Sequence, residues 1–232
     1  MNTKTNSAAV RLVKTPLSEQ AYDELKRQIL DQQLKPGERL NIDALSRSCG
    51  ISSSPLREAL TRLGAEGLVV FAANTGFSVA PVPDARQMGQ LMDFRLLMEA
   101  HCARVGAAAA GHAQTAVELE KAIAAMVALR RKGASYKQYR AFIDLEQSFH
   151  QSIVDSAGNE PISAAWRELH LIMNVARLSV LPESNVLGSD AAVQEHRQIA
   201  AAFAARDPAG AELALRRHLQ AARDRMQPGV QS

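Results

Sequence analysis

The stretch Glu195–Leu219, EHRQIAAAFAARDPAGAELALRRHL, constrains the fold more than any other part of the chain. Pro208 and Gly210 interrupt a run of Ala, Leu, Arg and Glu that otherwise favours helix. The stretch therefore predicts two helices joined by a tight turn. His196 lies eleven residues before Asp207 and His218 eleven after it. In an antiparallel helical hairpin, residues equidistant from the turn come level with each other. The two imidazoles therefore meet if both face the same side.

Composition agrees with a helical chain. Of 232 residues, 47% are apolar but only 4% aromatic, which suits packed helices better than a sandwich of sheets. Cys49 and Cys102 show no paired spacing and read as buried thiols in a reducing compartment, with no disulfide expected. There is no apolar run near the roughly 18 residues of a membrane span. The opening MNTKTNSAAVRLVKTP lacks the apolar core of a secretory signal. A cytoplasmic protein with no membrane association is expected. The net charge of +3 permits nucleic-acid binding without arguing for it.

Residues 1–16 read as a mobile tail. A first helix is predicted over Leu17–Leu34, ended by KPGE. NIDALSRSCG reads as a short helix capped by Asn41 or Asp43 and closed by Gly50. In ISSSPLREALTRLGAEGL, the spacing of Leu56, Ala59, Leu60 and Leu63 marks a core-facing stripe. Serines 52–54 offer an N-cap, and Pro55 fits a first turn where no N–H is needed. LVVFAANTGFSVAPV then alternates around ANTG, a hairpin signal. Helices followed by a small hairpin make a winged helix-turn-helix over residues 17–80. Its second helix is the kind that enters the major groove of duplex DNA. Ser52, Ser53, Ser54 and Arg57 would face bases or phosphates there, and Thr75 and Gly76 in the wing would approach the backbone. The alternative use of Arg57 is a salt bridge to a glutamate.

Residues 81–86 read as a linker. Beyond them no strand pattern appears, and six helical segments with short breaks fill residues 87–227, a bundle of six to seven helices, before a short tail at 228–232. The fold class is mainly α. Glu146 and His150 lie four residues apart and so share a helical face. With His196 and His218 they form a carboxylate-and-imidazole set from three helices. Such a set suits Zn²⁺ first, with Ni²⁺ or another late first-row divalent ion as alternatives. Arg95 and Glu99 are also spaced i, i+4. They are either a surface pair or a guanidinium aimed inward at an effector carboxylate. His170, Asn174 and Arg177 share a face of the fourth helix and are candidates to line the same pocket. Trp166 reads as a core or dimer contact.

Two sets of motifs resemble a known family. AYDELKRQILDQQLKPGERLNIDALSRSCGISSSPLREALTRLGAEGLV is similar to the DNA-binding domain of GntR-type bacterial regulators. MDFRLLMEAHCARVGAAAA, FIDLEQSFHQSI, QEHRQIAAAF and RRHLQAARDRM resemble the helical FCD ligand-binding domain of the FadR subgroup. The resemblance implies a homodimeric repressor, released from its operator by a small metabolite. It implies DNA contacts from Arg39, Arg57 and Gly76, and puts His150, His196 and His218 on metal-ligand positions. Three residues depart from the pattern: Ser53 and Thr75 stand where arginine is usual, and Glu146 where aspartate is usual. Two other functions fit parts of the chain. One is a bundle metallohydrolase, for which no further acid, base or nucleophile is apparent. The other is a regulator whose signal is the metal itself.

Overall fold

A computed structural model describes residues 16–131, 136–180 and 188–226, apart from the side chains of Tyr136, His170, Leu171, Met226 and residues 174–180. The two expected tails lie outside the described residues, Pro16 excepted. The amino-terminal part contains α1 (Leu17–Leu30), β1 (Arg39–Leu40), α2 (Ile42–Cys49), α3 (Ser53–Ala65), β2 (Val69–Ala72) and β3 (Gly76–Val79). The strands form an antiparallel sheet in the order β1-β3-β2, with Arg39 opposite Ser78 and Phe71 opposite Phe77. Strand β1 was not expected; two residues carry too little alternation to be read as a strand.

Helix α1 ends four residues before the sequence suggested. Gln32 takes a left-handed φ of 55°, and the N–H groups of Gln33 and Leu34 both fold back to the carbonyl of Gln28. This is the closure that glycine usually provides, so a glutamine hides it from a reading that looks for glycine. Asn41 caps α2 through its side chain, and Gly50 closes it at φ 66°. The core of this domain is Leu25, Ile29, Leu56, Leu60, Leu63, Leu68 and Val79, all at or near zero exposure. Each buried leucine contributes about 1.5–3 kcal/mol. A polar clasp adds to it. Lys26 reaches both Tyr22 and Glu66 (2.7 and 2.8 Å), Tyr22 donates to Glu66, and Arg62 stacks on the Tyr22 ring while pairing with Glu19.

Six helices follow: α4 (Ala85–Ala108), α5 (His112–Arg130), α6 (Tyr136–Asp155), α7 (Glu160–Val180), α8 (Asp190–Ala204) and α9 (Pro208–Met226). Asp84 and Gln87 form a reciprocal capping box at the start of α4. At the α8–α9 turn, Arg206 adopts φ 53°, and the Asp207 side chain accepts from Gly210 N–H, so Pro208 occupies the first helical position. Helix α9 packs along α4 and α8, and α5 along α6 and α8. One core joins Leu119, Ile123, Phe149, Ile153, Phe203, Leu215 and their neighbours. A second joins Met92, Met98, Cys102, Trp166 and Met173. Burial pushes the Cys102 thiol up to about 11, while Cys49 is only half-buried, contrary to the expectation of two buried thiols. Cys49 shares the inner face of α2 with Ile42 and Leu45, but it is the last residue of a short helix that has no fully buried residue.

The two parts touch. Arg140 on α6 pairs with Asp31 at the end of α1, and the Ile172 side chain lies beside Gly67, which carries φ 74° in the turn before β2. Gly106 marks the closest approach inside the bundle: a Cβ there would overlap the Ser156 side chain and lie 3.2 Å from the Phe203 ring. Gly106→Ala is expected to destabilise the chain by about 1–3 kcal/mol, as overpacking does, measured by urea unfolding. Unchanged stability would mean that α4 and the end of α6 are looser than described.

Candidate functional site

The site grows from helix spacing. Glu146 and His150 project from one face of α6, His196 from α8 and His218 from α9. All four are buried, with exposures of 5, 0, 1 and 3%. One ligand atom from each lies within 4.8 Å of all the others. The hairpin arithmetic holds: the rings of His196 and His218 have centroids 4.4 Å apart. His150 Nε2 is 3.3 Å from His218 Nε2, and His196 Nε2 is 3.5 Å from Glu146 Oε1. Those spacings match the edge of a tetrahedron of ligands, about 3.4 Å for bonds of the zinc length. The extra methylene of Glu146 leaves its carboxylate within the cluster.

Two carboxylates outside the cluster orient two of the rings. Glu99 Oε2 accepts from His150 Nδ1 at 2.6 Å, and Glu195 Oε2 accepts from His218 Nδ1 at 2.8 Å. Where both rings are neutral, the ionised carboxylates hold both protons on Nδ1 and leave lone pairs on both Nε2 atoms. These lone pairs face each other across 3.3 Å. Two acceptors so placed repel unless a cation lies between them. Neither ring nitrogen of His196 has a hydrogen-bond partner among the described residues. A buried polar atom left this way costs about 1–3 kcal/mol. Burial works against the charge of Glu195, yet hydrogen bonds from His218 and from Arg225, the latter through two bonds of 2.9 Å, hold it down at about 2.

Arg95 adjoins this cluster. It is wholly buried on α4, its Nε donates to Glu99, and Nη1 and Nη2 have no partner among the described residues. Its charge is felt at both His150 and His196. Of the two readings open from the sequence, the inward one matches this placement. Sequence reasoning treated Glu99 only as the partner of Arg95 and passed over Glu195. The one available signal for Glu195 was its place beside His196 in a helix that returns past α9. Trp166 is a core residue as expected, but its indole also donates to Glu99 at 2.8 Å. His170, Asn174 and Arg177 lie on α7, and their side chains are outside the described residues.

At the other end of the chain, Ser52, Ser53, Ser54 and Arg57 are exposed at and just after the start of α3, Arg39 is exposed on β1, and Thr75 is exposed beside Gly76 in the β2–β3 turn. Gly76 takes φ 78°. Among the described residues no carboxylate pairs with Arg57. A groove of about 400 Å³ runs between α3 and the hairpin, with Arg57, Thr61, Phe71 and Phe77 along it.

Residues 17–79 match the model of the bacterial regulatory proteins of the gntR family, and residues 90–221 match the FCD domain. The chain belongs to this family. It is a GntR-family transcriptional regulator with an FCD domain, and the hydrolase reading falls away because the family consists of regulators and not enzymes. A probable D-xylose utilization operon transcriptional repressor of Paenarthrobacter nicotinovorans is 27% identical over 216 residues, covering 93% of this chain and 91% of that protein. The HTH-type transcriptional repressor GlaR of Escherichia coli strain K12 is 28% identical, covering 85% and 90%. Among solved structures, a putative GntR regulator from Rhodococcus sp. RHA1 superposes with a TM-score of 0.73 at 18% identity, covering 90% of this chain and 96% of that one. E. coli McbR/YncC does so with 0.71 at 23%, with the same coverage. Among the described residues no helix is long and apolar enough to cross a membrane.

Burial, above all, pushes His150 well below its ordinary 6.5 and His196 to about 4; the neighbouring charges of Arg95 and His218 add to this, and Glu146 opposes it. As pH falls, the unfolded chain takes up protons on these residues first. Stability of the metal-free protein should therefore drop from about pH 6.5 toward about pH 4, by about 1.4 kcal/mol per unit per histidine. Thermal unfolding across that window checks this, and a flat Tm would contradict it.

Proposed function

We propose that the bundle holds a divalent ion, Zn²⁺ before Ni²⁺ or another late first-row metal, on Glu146, His150, His196 and His218. The regulator would use that site to read a small organic acid and change its grip on an operator. The observation that carries this reading is the convergence of four buried ligand atoms within 4.8 Å, with His150 Nε2 and His218 Nε2 3.3 Å apart and a carboxylate on each ring's Nδ1. The unpartnered nitrogens of His196 point the same way. Such an ion would supply open coordination positions for a carboxylate. Formal charges argue for an anion as well. Arg95 offsets Glu99, and Arg225 offsets Glu195, so a divalent ion against Glu146 leaves a buried surplus of positive charge that an acid would neutralise. The unpaired Nη1 and Nη2 of Arg95 offer the forked donor that a carboxylate accepts. They favour an organic acid over the metal alone as the signal. His170, Asn174 and Arg177 are proposed as further contacts to it.

The winged domain grips duplex DNA with Ser52, Ser53, Ser54 and Arg57 of α3, and with Arg39, Thr75 and Gly76 around the sheet. Serine and threonine at positions 53 and 75 leave fewer cationic contacts, so the salt slope of binding is shallow, with each missing phosphate contact lowering it by roughly 0.9. Repression by a cytoplasmic homodimer fits the pattern. Phe94, Leu97 and Val105 form an exposed apolar stripe on α4, suited to a second copy. The path from site to DNA has a physical carrier. Helix α6 holds two of the four proposed ligands, Glu146 and His150, and also Arg140, which is paired with Asp31 of the DNA-binding domain. An acid acts only if it binds one arrangement of the domains better than the other.

Dialysis against Zn²⁺ followed by elemental analysis tests the metal. Wild type should retain one ion per chain, and His196→Ala and His218→Ala should lose it while keeping their helical circular dichroism. Equal retention in both variants refutes the ligand set. Arg57→Ala should weaken binding to a DNA site selected from a random pool by about 1–3 kcal/mol. Arg95→Gln should abolish any acid-induced thermal shift without changing DNA affinity. An acid panel with and without chelator supplies that readout, and an undiminished shift in Arg95→Gln removes the anchor role.

A further inference from the structure

Glu99 is wholly buried on α4, one turn beyond Arg95, and its two oxygens serve different neighbours. Oε1 accepts from Arg95 Nε and from Trp166 Nε1, and Oε2 accepts from His150 Nδ1. Glu195 plays a comparable part toward His218, but its remaining contacts run outward to Arg225 at the surface. Among the described residues Glu99 is the one group that joins a member of the histidine cluster to the buried guanidinium. It also draws together three helices, α4, α6 and α7, through side chains 51 and 67 residues away in the chain.

We propose that Glu99 is a positioning residue. It fixes His150 in the Nδ1–H form with Nε2 turned into the cluster, and through its other oxygen binds that imidazole and Arg95 into one unit. Ligation at His150 and anion capture at Arg95 are thereby linked. The linkage rests on the metal-and-acid reading above, while the fixing of His150 holds for the metal-free chain. The physical step is a shift of one carboxylate between its donors. With a cation held at Nε2, Nδ1–H would be a stronger donor, so Oε2 would move toward His150 and Oε1 would loosen its hold on Arg95 Nε and Trp166 Nε1. The guanidinium then has more donor strength for an incoming anion. Linkage is reciprocal: an anion on Arg95 raises metal affinity at His150 by the same factor.

Nitrogen-15 spectra of the imidazoles in the metal-free protein provide the test. Wild type is expected to show neutral His150 as the Nδ1–H tautomer. Glu99→Gln can accept with only one of its two terminal atoms, so His150 should switch to Nε2–H or to an averaged mixture. Zn²⁺ affinity, read by chelator competition, should fall roughly tenfold to a hundredfold in the same variant. Trp166→Phe removes only the indole donor from the far oxygen, and His150 should keep its tautomer there. A merely structural Glu99 would lower Tm in Glu99→Gln without moving the tautomer, and that result overturns the inference, as does an unchanged Zn²⁺ affinity. Should Glu99→Gln fail to fold, wild type decides alone, since an Nε2–H tautomer at His150 is incompatible with the proposal. A wild-type chain that takes up no Zn²⁺ refutes the metal reading and the linkage with it, whereas its Nδ1–H tautomer would still support the positioning role.

Discussion

A helical bundle can bury a guanidinium and three imidazoles only if their polar atoms find partners, and the interior of this regulator is organised around that demand. Arg95, Glu99, Glu146, His150, His196 and His218 are all within a few per cent of complete burial. Leaving charges unpaired in such a place costs several kcal/mol each. The carboxylates answer part of it. Glu99 and Glu195 each accept a hydrogen bond from an imidazole Nδ1–H, and Glu146 stands by His196. What stays unanswered is concentrated at one point: the facing Nε2 atoms, both nitrogens of His196, and the two outer nitrogens of Arg95. Among the described residues, the buried side-chain polar atoms without a hydrogen-bond partner belong to His196 and Arg95, at this one place.

How much of this could be read in the sequence follows from geometry. Residues placed by helix period or turn symmetry were legible. Glu146 and His150 are one turn apart, and His196 and His218 are level because Pro208 and Gly210 fix the turn between them. The stripe of Leu56, Ala59, Leu60 and Leu63 likewise forecast the core side of α3. Contacts between elements distant in sequence were not legible. The i, i+4 spacing of Arg95 and Glu99 announced their own pairing, but not that Glu99 reaches His150 on α6 and Trp166 on α7. No local signal encodes a crossing of that kind. The end of α1 was misplaced for a different reason: Gln32 adopts a conformation that glycine or asparagine normally advertises. Strand β1 escaped notice because it exists by pairing with β3 rather than by any pattern of its own.

The contacts between the two parts involve the same helices that surround Glu99. Asp31 is shared between Arg27 of its own helix and Arg140 of α6. Gly67, at the turn that leads from α3 into the wing, lies against Ile172 of α7. Helices α6 and α7, which bring His150 and Trp166 to Glu99, thus both meet the DNA-binding domain.

The chain contains a single tryptophan, and its indole N–H is held by the carboxylate that also holds His150. Its emission therefore arises from one known place, shielded from water, and is sensitive to how much negative charge rests on that oxygen. The protein thus carries an optical gauge of this carboxylate, and anything that displaces Glu99 would register in the unlabelled molecule.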